Sequence, residues 1–253
     1  MRPETILLTN DDGIDADGLL ALAMAAARLF PRARRVVLAP DRCHSQCGHA
    51  FITDRPLRLN ELGPDRYSCD GTPVDCVRLA LFGLQLRPDL VLSGINHGGN
   101  LGHDLAASGT VAAAREAAWH AVTAVALSHY RRRGLEIDWQ LAADRVCHAL
   151  DHLLAPGRDG AGALLRPGDH ASVNLPHTPA AEGHNQSPRL IECHPEPGAL
   201  PVAYRQDDPS GSDPSTLTYH YTGSYGERPH SPGSDVQVCF GGDISWCRLR
   251  LPM

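Results

Sequence analysis

Two adjacent carboxylates, Asp11 and Asp12, follow the short apolar run TILLT, with Asn10 before them and Gly13 after. Side by side they repel unless a cation or a proton joins them. The run reads as a strand, so the pair emerges at its carboxyl end, where open α/β sheets bind ligands. The other reading is local: one Asp caps a helix expected to begin near Gly18 and the other is solvated. A second apolar run ends in APDRCHSQCGH and brings Asp41 and Ser45 to the same edge; a third ends in SGINHGGNLGHD and brings Asn96. Carboxylates, an amide oxygen and a hydroxyl are hard oxygen donors, which suit Mg²⁺ or Mn²⁺ better than a thiolate zinc site. Ser108, Gly109 and Thr110 precede VAAAREAAW, so hydroxyls and backbone N–H groups gather at a helix N-terminus. Such a terminus binds anions, although Ser and Thr are also ordinary helix caps. A phosphate held between a cation and that helix accounts for all four segments.

Other chemistries fit these residues less well. Gly94, Gly98, Gly99 and Gly102 neither follow the first strand nor keep GxGxxG spacing, so dinucleotide binding is not expected. Asp15-Ala16-Asp17 lies past the strand end, where an aspartyl nucleophile would be misplaced. A metal-dependent deacetylase needs histidine ligands that Asn96 and Ser45 do not supply. Of the loop histidines His44, His49, His97 and His103, His97 is the one considered for relaying a proton to a leaving alkoxide. The eight cysteines form no CxxC pair and are read as free thiols.

The elements that must position these residues alternate. TILLT, GLLALAMAAARLF, RRVVLAP, DCVRLALFGL, PDLVLSG, a helix from about Thr110 and TAVALS give the order of a βαβ sheet. The fold class expected is α/β: a Rossmann-like three-layer core with a mostly parallel sheet, plus a C-terminal β-rich arm. FITDRPLRL and DRYSC, separated by ELGPD, read as an inserted antiparallel hairpin, and Thr72-Pro73 opens a helix. A helix is expected from Asp138 to Leu154 and a strand at SVNLP. The boundaries expected are a catalytic core over 1–179, a loop-rich projecting arm over 180–234 for oligomerisation, and one or two C-terminal strands over 235–253 returning to the core. The formal net charge of −6 offers no positive field for duplex nucleic acid. Without a signal-like N-terminus or an apolar run of about 20 residues, a cytoplasmic, non-membrane protein is expected.

ILLTNDDGIDADGLLAL, VVLAPDRCHS, SCDGTPVDCVRLAL and PDLVLSGINHGGNLGHDLAASGTVAAAREA resemble, in order, the motifs of the SurE survival-protein family. The resemblance implies a 5'-nucleotidase that hydrolyses nucleoside 5'-monophosphates, with 3'-monophosphates and short polyphosphate as further substrates. It implies one divalent cation per subunit, Mg²⁺ or Mn²⁺, on Asp11, Asp12, Ser45 and Asn96. It places Asn10, Ser45, Asn96, Ser108, Gly109 and Thr110 around the phosphate, with Asp11, Asp12, Asn96 and Ser108 in catalysis by a metal-activated water. Homodimers or homotetramers are also implied. Gln46 and Cys47 stand where the family carries a small residue, which bears on substrate range. The alternative is a non-catalytic nucleotide-binding or stress-sensing protein that uses the same loops.

Overall fold

The computed structural model describes residues 3–154, 163–177, 188–207 and 217–251. The chain opens with β1 (Thr5–Thr9), α1 (Asp17–Leu29) and β2 (Arg34–Pro40), followed by the hairpin β3 (Leu59–Gly63) and β4 (Arg66–Cys69). Next come α2 (Pro73–Arg78), which runs on into a π turn, β5 (Leu90–Asn96), α3 (Asp104–Ala107), α4 (Gly109–Trp119), β6 (Thr123–His129), α5 (Trp139–Leu154) and β7 (His170–Leu175). The last part contributes β8 (Leu190–Glu192), β9 (Tyr204–Gln206), β10 (Tyr219–Tyr221), α6 (Asp235–Phe240) and β11 (Ile244–Leu249).

One sheet runs β3-β4-β2-β1-β5-β6-β7-β11-β8. The strands from β4 to β7 are parallel, whereas β3 and β11 pair antiparallel with β4 and β7. Alternation along the strands divides the core. Ile6, Leu8, Leu90 and Leu92 face α1 and α5, while Leu7 and Val91 face α2 and α4. Burial on both faces is what the near-continuous apolar strands demand, and it makes the fold the expected α/β three-layer core. The chain leaves β1 toward β2 and later returns on its other side as β5, so the crevice above β1 and β5 is the topological switch point.

Three details differ from the expectations. The inserted hairpin begins only at Leu59, so part of the expected turn, Glu61–Gly63, is strand, and the reversal falls at Pro64 and Asp65. The segment DVQVCF, at the start of the stretch expected to be one or two C-terminal strands, is α6: Ser234 accepts a hydrogen bond from the Gln237 N–H and starts the helix. Leu190–Glu192, assigned from the sequence to the arm, is the edge strand β8 of the main sheet, paired with β11. Among the described residues, only β9 and β10 form a sheet of their own. The rest of 180–234 falls partly on 178–187 and 208–216, outside the described residues. The Thr72 cap forms as expected, with Asp75 completing a capping box.

Candidate active site

Asn10, Asp11 and Asp12 leave the end of β1 in a tight loop. The Asn10 side chain closes it, donating to the Gly13 carbonyl at 2.8 Å and accepting from the Gly13 N–H at 3.2 Å. Both ends of the amide hold the loop, and Asn10 braces the site from a fully buried position. Neither Asp11 nor Asp12 caps α1, whose N-cap is Ala16 with no side-chain bond. The local reading of the acidic pair therefore does not hold.

Asp11 lies between β1 and the start of α4. The Thr110 hydroxyl donates to Asp11 Oδ1 at 2.5 Å, and a Cβ on Gly109 would sit 3.0 Å from Asp11 Cβ and 3.2 Å from its Oδ2. Only glycine at 109 lets the carboxylate approach this closely. Asp11 is 5% exposed. Burial pushes its pKa from 3.8 up to about 6, against the pull of the Thr110 hydroxyl, and the adjacent Asp12 charge adds to the rise. Burial also raises Asp12, whose Oδ2 accepts the His97 N–H at 2.9 Å, so the first loop is tied to the one after β5. Among the described residues no arginine pairs with either carboxylate.

The other expected residues converge on the same edge. Asn96 ends β5 just past a register shift in its ladder with β6, and its Nδ2 donates to the Gly98 carbonyl at 2.8 Å, leaving Oδ1 as the acceptor. The Ser45 loop is fastened twice: the His44 N–H donates to the Asp11 carbonyl at 2.7 Å, and the Gly48 N–H to the Ala107 carbonyl at 2.9 Å. Ser45 Oγ lies 2.9 Å from Cys43 Sγ on an exposed loop, and Asp41 is exposed beside it. Cys47 packs against Gly109, 2.9 Å from where a Cβ would sit, and burial with the nearby Asp11 charge pushes its thiol up to about 11. Gln46 adopts a left-handed φ of 58° to make this turn. Ser108 caps α4, accepting from the Val111 N–H at 3.1 Å, so its own O–H remains a donor. Thr110, expected beside phosphate, instead directs its hydroxyl to Asp11.

Several supporting residues gave no signal in the sequence. Asn100 donates from its N–H to Asn174 Oδ1 at 2.8 Å and from Nδ2 to Ser128 Oγ at 2.8 Å. Asp104 accepts from Tyr225 and Arg228 at 2.8 and 2.7 Å, and Asp235 accepts the Gly102 N–H at 2.8 Å. The loop that carries Asn96 is therefore fixed by β6, β7 and residues more than 120 positions away. The polar run NLGHD was the one local hint.

A hard divalent cation fits this donor set. Asp11, Asp12, Asn96 Oδ1 and Ser45 Oγ are all oxygens, and among the described residues the two crowded carboxylates have no arginine partner. Among the described residues no cluster of three or more His, Cys, Asp or Glu side chains is placed to hold a metal ion, so the amide and the hydroxyl are needed to complete the set.

Comparison with known proteins agrees with the geometry. The family model for survival protein SurE matches residues 6–191. The 5'-nucleotidase SurE of Vibrio parahaemolyticus is 36% identical over 256 residues, covering 100% of this chain and 90% of that protein. That of Halorhodospira halophila is 37% identical over 251 residues, covering 98% and 92%. A Nostoc sp. protein, provisionally named a 5'-nucleotidase, is 44% identical over 248 residues, covering 98% and 100%. The crystal structure of the SurE protein from Aquifex aeolicus matches with a TM-score of 0.80 at 31% identity, over 98% of this chain and 94% of that one. Matched in sequence from β1 into β8 and in fold over nearly its whole length, the chain belongs to the survival protein SurE family.

Proposed function

We propose that the protein is a divalent-cation-dependent 5'-nucleotidase that hydrolyses nucleoside monophosphates at the crevice above β1 and β5. The observation that carries this reading is the buried Asp11, held at the N-terminus of α4 by Thr110 and beside Asp12, which no arginine among the described residues pairs with. The relatives named 5'-nucleotidase SurE support the activity. Asp11, Asp12, Asn96 and Ser45 would hold the cation, Mg²⁺ or Mn²⁺. When bound, it offsets the carboxylate charge and acts as a Lewis acid toward a phosphoryl oxygen.

The chain's own groups then have distinct tasks. Thr110 and Gly109 position Asp11, whose carboxylate would orient the attacking water and take up its proton. The His97 N–H fixes Asp12 by Oδ2 and leaves Oδ1 for the same region. The Ser108 hydroxyl and the Gly109 N–H donate to the equatorial phosphoryl oxygens as charge builds there. Assembly into homodimers or homotetramers through parts of 180–234 belongs to the same proposal. Among the described residues no helix is long and apolar enough to cross a membrane.

The test is phosphate release from 5'- and 3'-nucleoside monophosphates by chelated protein resupplied with Mg²⁺, Mn²⁺ or Zn²⁺, alongside Asp11→Asn and Asn96→Asp. Cation-dependent release that falls by orders of magnitude in both variants is expected. Folded wild-type protein that binds nucleotide yet releases no phosphate with any of the metals would refute catalysis in favour of a binding protein.

A further inference from the structure

Beside the candidate cation site lie four aromatic rings that the chemistry above does not use. They sit at the carboxyl ends of three neighbouring parallel strands: His97 after β5, His129 at the end of β6 and His177 after β7, with Trp139 opening α5 above them. The centroids of His97 and Trp139 are 5.9 Å apart, those of Trp139 and His129 6.4 Å, and those of His129 and His177 5.3 Å. The wall starts at the residue whose N–H holds Asp12, so it begins where the candidate phosphate site ends. It then runs one to two strand spacings sideways, about 5–10 Å, which is the scale of a nucleoside.

Its members differ in exposure. His129 and His177 are buried and brace the wall from behind; His129 donates from Nδ1 to the Tyr130 carbonyl at 2.7 Å. His97 is exposed and Trp139 half-buried, so these two rings offer surface to a ligand. The indole is fixed in place. A Cβ on Gly18 would lie 3.1 Å from Trp139 Cζ3 and 1.9 Å from the Ile95 carbonyl, so glycine at 18 lets α1, β5 and the indole edge meet. A pre-positioned ring gives up little conformational entropy when a flat ligand stacks on it.

We propose that the nucleobase of the substrate stacks on Trp139, with the His97 ring, inclined 56° to the indole, against the base edge, making them substrate-contacting residues that favour nucleotides over other phosphate monoesters. This rests on the nucleotidase reading and names the part of the substrate that the oxygen-rich site leaves unread. Stacking is tolerant of base identity because every base has a π-face, so discrimination between nucleotide and sugar phosphate exceeds that among bases.

The experiment compares AMP with ribose 5-phosphate, which keeps the sugar and phosphate and lacks the base, in wild-type protein, Trp139→Leu and Trp139→Phe. The ratio of KM for AMP to KM for ribose 5-phosphate is expected to rise roughly 5- to 150-fold in the Leu variant and to stay near wild type in the Phe variant, the range that base–aromatic stacking covers. A purely structural role for the indole would shift both substrates together, and that result, or an unchanged ratio, overturns the proposal. Adenosine is also expected to quench the wild-type intrinsic fluorescence but not that of Trp139→Phe, which retains Trp119 and Trp246. This binding readout does not depend on turnover, so it separates failure of the stacking wall from failure of the nucleotidase reading. Equal quenching in both proteins likewise overturns the proposal.

Discussion

If Asp11 is a carboxylate kept ionised for a cation, the cation-free protein should be more stable without it. Burial lifts its pKa from 3.8 to about 6. For a group whose folded pKa is raised, the stabilising contribution is full below the unfolded pKa and is lost as pH climbs through the folded one. At 1.36 kcal/mol per pKa unit, the ionised Asp11 costs the chelated protein about 3 kcal/mol above pH 6 relative to pH below 3.8. Asp11→Asn keeps an acceptor for the Thr110 hydroxyl and carries no charge, so it avoids that cost. In chelator at pH 7.5 the variant should melt higher than wild type by roughly 6–12 °C for a chain of this size. The difference should close as pH falls toward 4. His129 and His170, which burial lowers to about 4, titrate in the same interval but in both proteins, so they cancel in the comparison. Added Mg²⁺ or Mn²⁺ should raise the wild-type melting temperature more than the variant's, as expected for a ligand of the folded state alone. The assay is thermal unfolding of both proteins from pH 4 to 8, with and without cation. Parallel pH profiles, or a variant less stable than wild type at pH 7.5, would refute the argument. A stabilised variant that has also lost phosphate release would show stability traded for function at one residue.

Two further perturbations test the supporting shell. Thr110→Val removes the hydroxyl that holds the Asp11 pKa down, so the acid limb of the pH–rate profile should move to higher pH and the half-saturating cation concentration should rise about 10- to 100-fold, with Thr110→Ser restoring both; an unmoved limb with normal cation affinity would show that the contact is incidental. Arg228→Ala leaves Asp104 without the guanidinium that lies 2.7 Å away with 1% of its side chain exposed, and urea unfolding should show a loss of about 3–5 kcal/mol; a loss under 1 kcal/mol would mean that water replaces the pair.

Ala112, Ala113, Ala114 and Ala117 are buried in α4, and their small side chains let this helix lie close on the sheet. That closeness brings Thr110 to Asp11, 99 residues away in the chain, a carboxylate partner that the local sequence around Thr110 does not reveal. The bracing role of Asn10 also depends on the folded loop. Its place beside the acidic pair is visible in the sequence, but its two bonds to Gly13 depend on a turn with Gly13 at a φ of 108°.

The features legible in the residues alone were local ones. The strand before Asn10, the helix start at Ser108, the cap at Thr72 and the order of strands and helices follow from side-chain period and from caps that act within three or four residues. These suffice to bring Asp11, Asp12, Ser45 and Asn96 to one edge, because parallel strands all end their carboxyl sides there. The tertiary structure decided what the side chains do at that edge. DVQVCF alternates like a strand, yet the Ser234 cap and the seat of Asp235 on the Gly102 and Glu196 N–H groups make it a helix. In the sequence Trp139 reads as part of the first turn of a helix, and the packing of α1 against α5 brings its ring beside His97. Backbone period and capping are settled by neighbours in the chain, whereas the seats of the two carboxylates and the partner of a hydroxyl depend on contacts across 85 or more residues, and the place of a ring on contacts between separate elements, which no local pattern encodes.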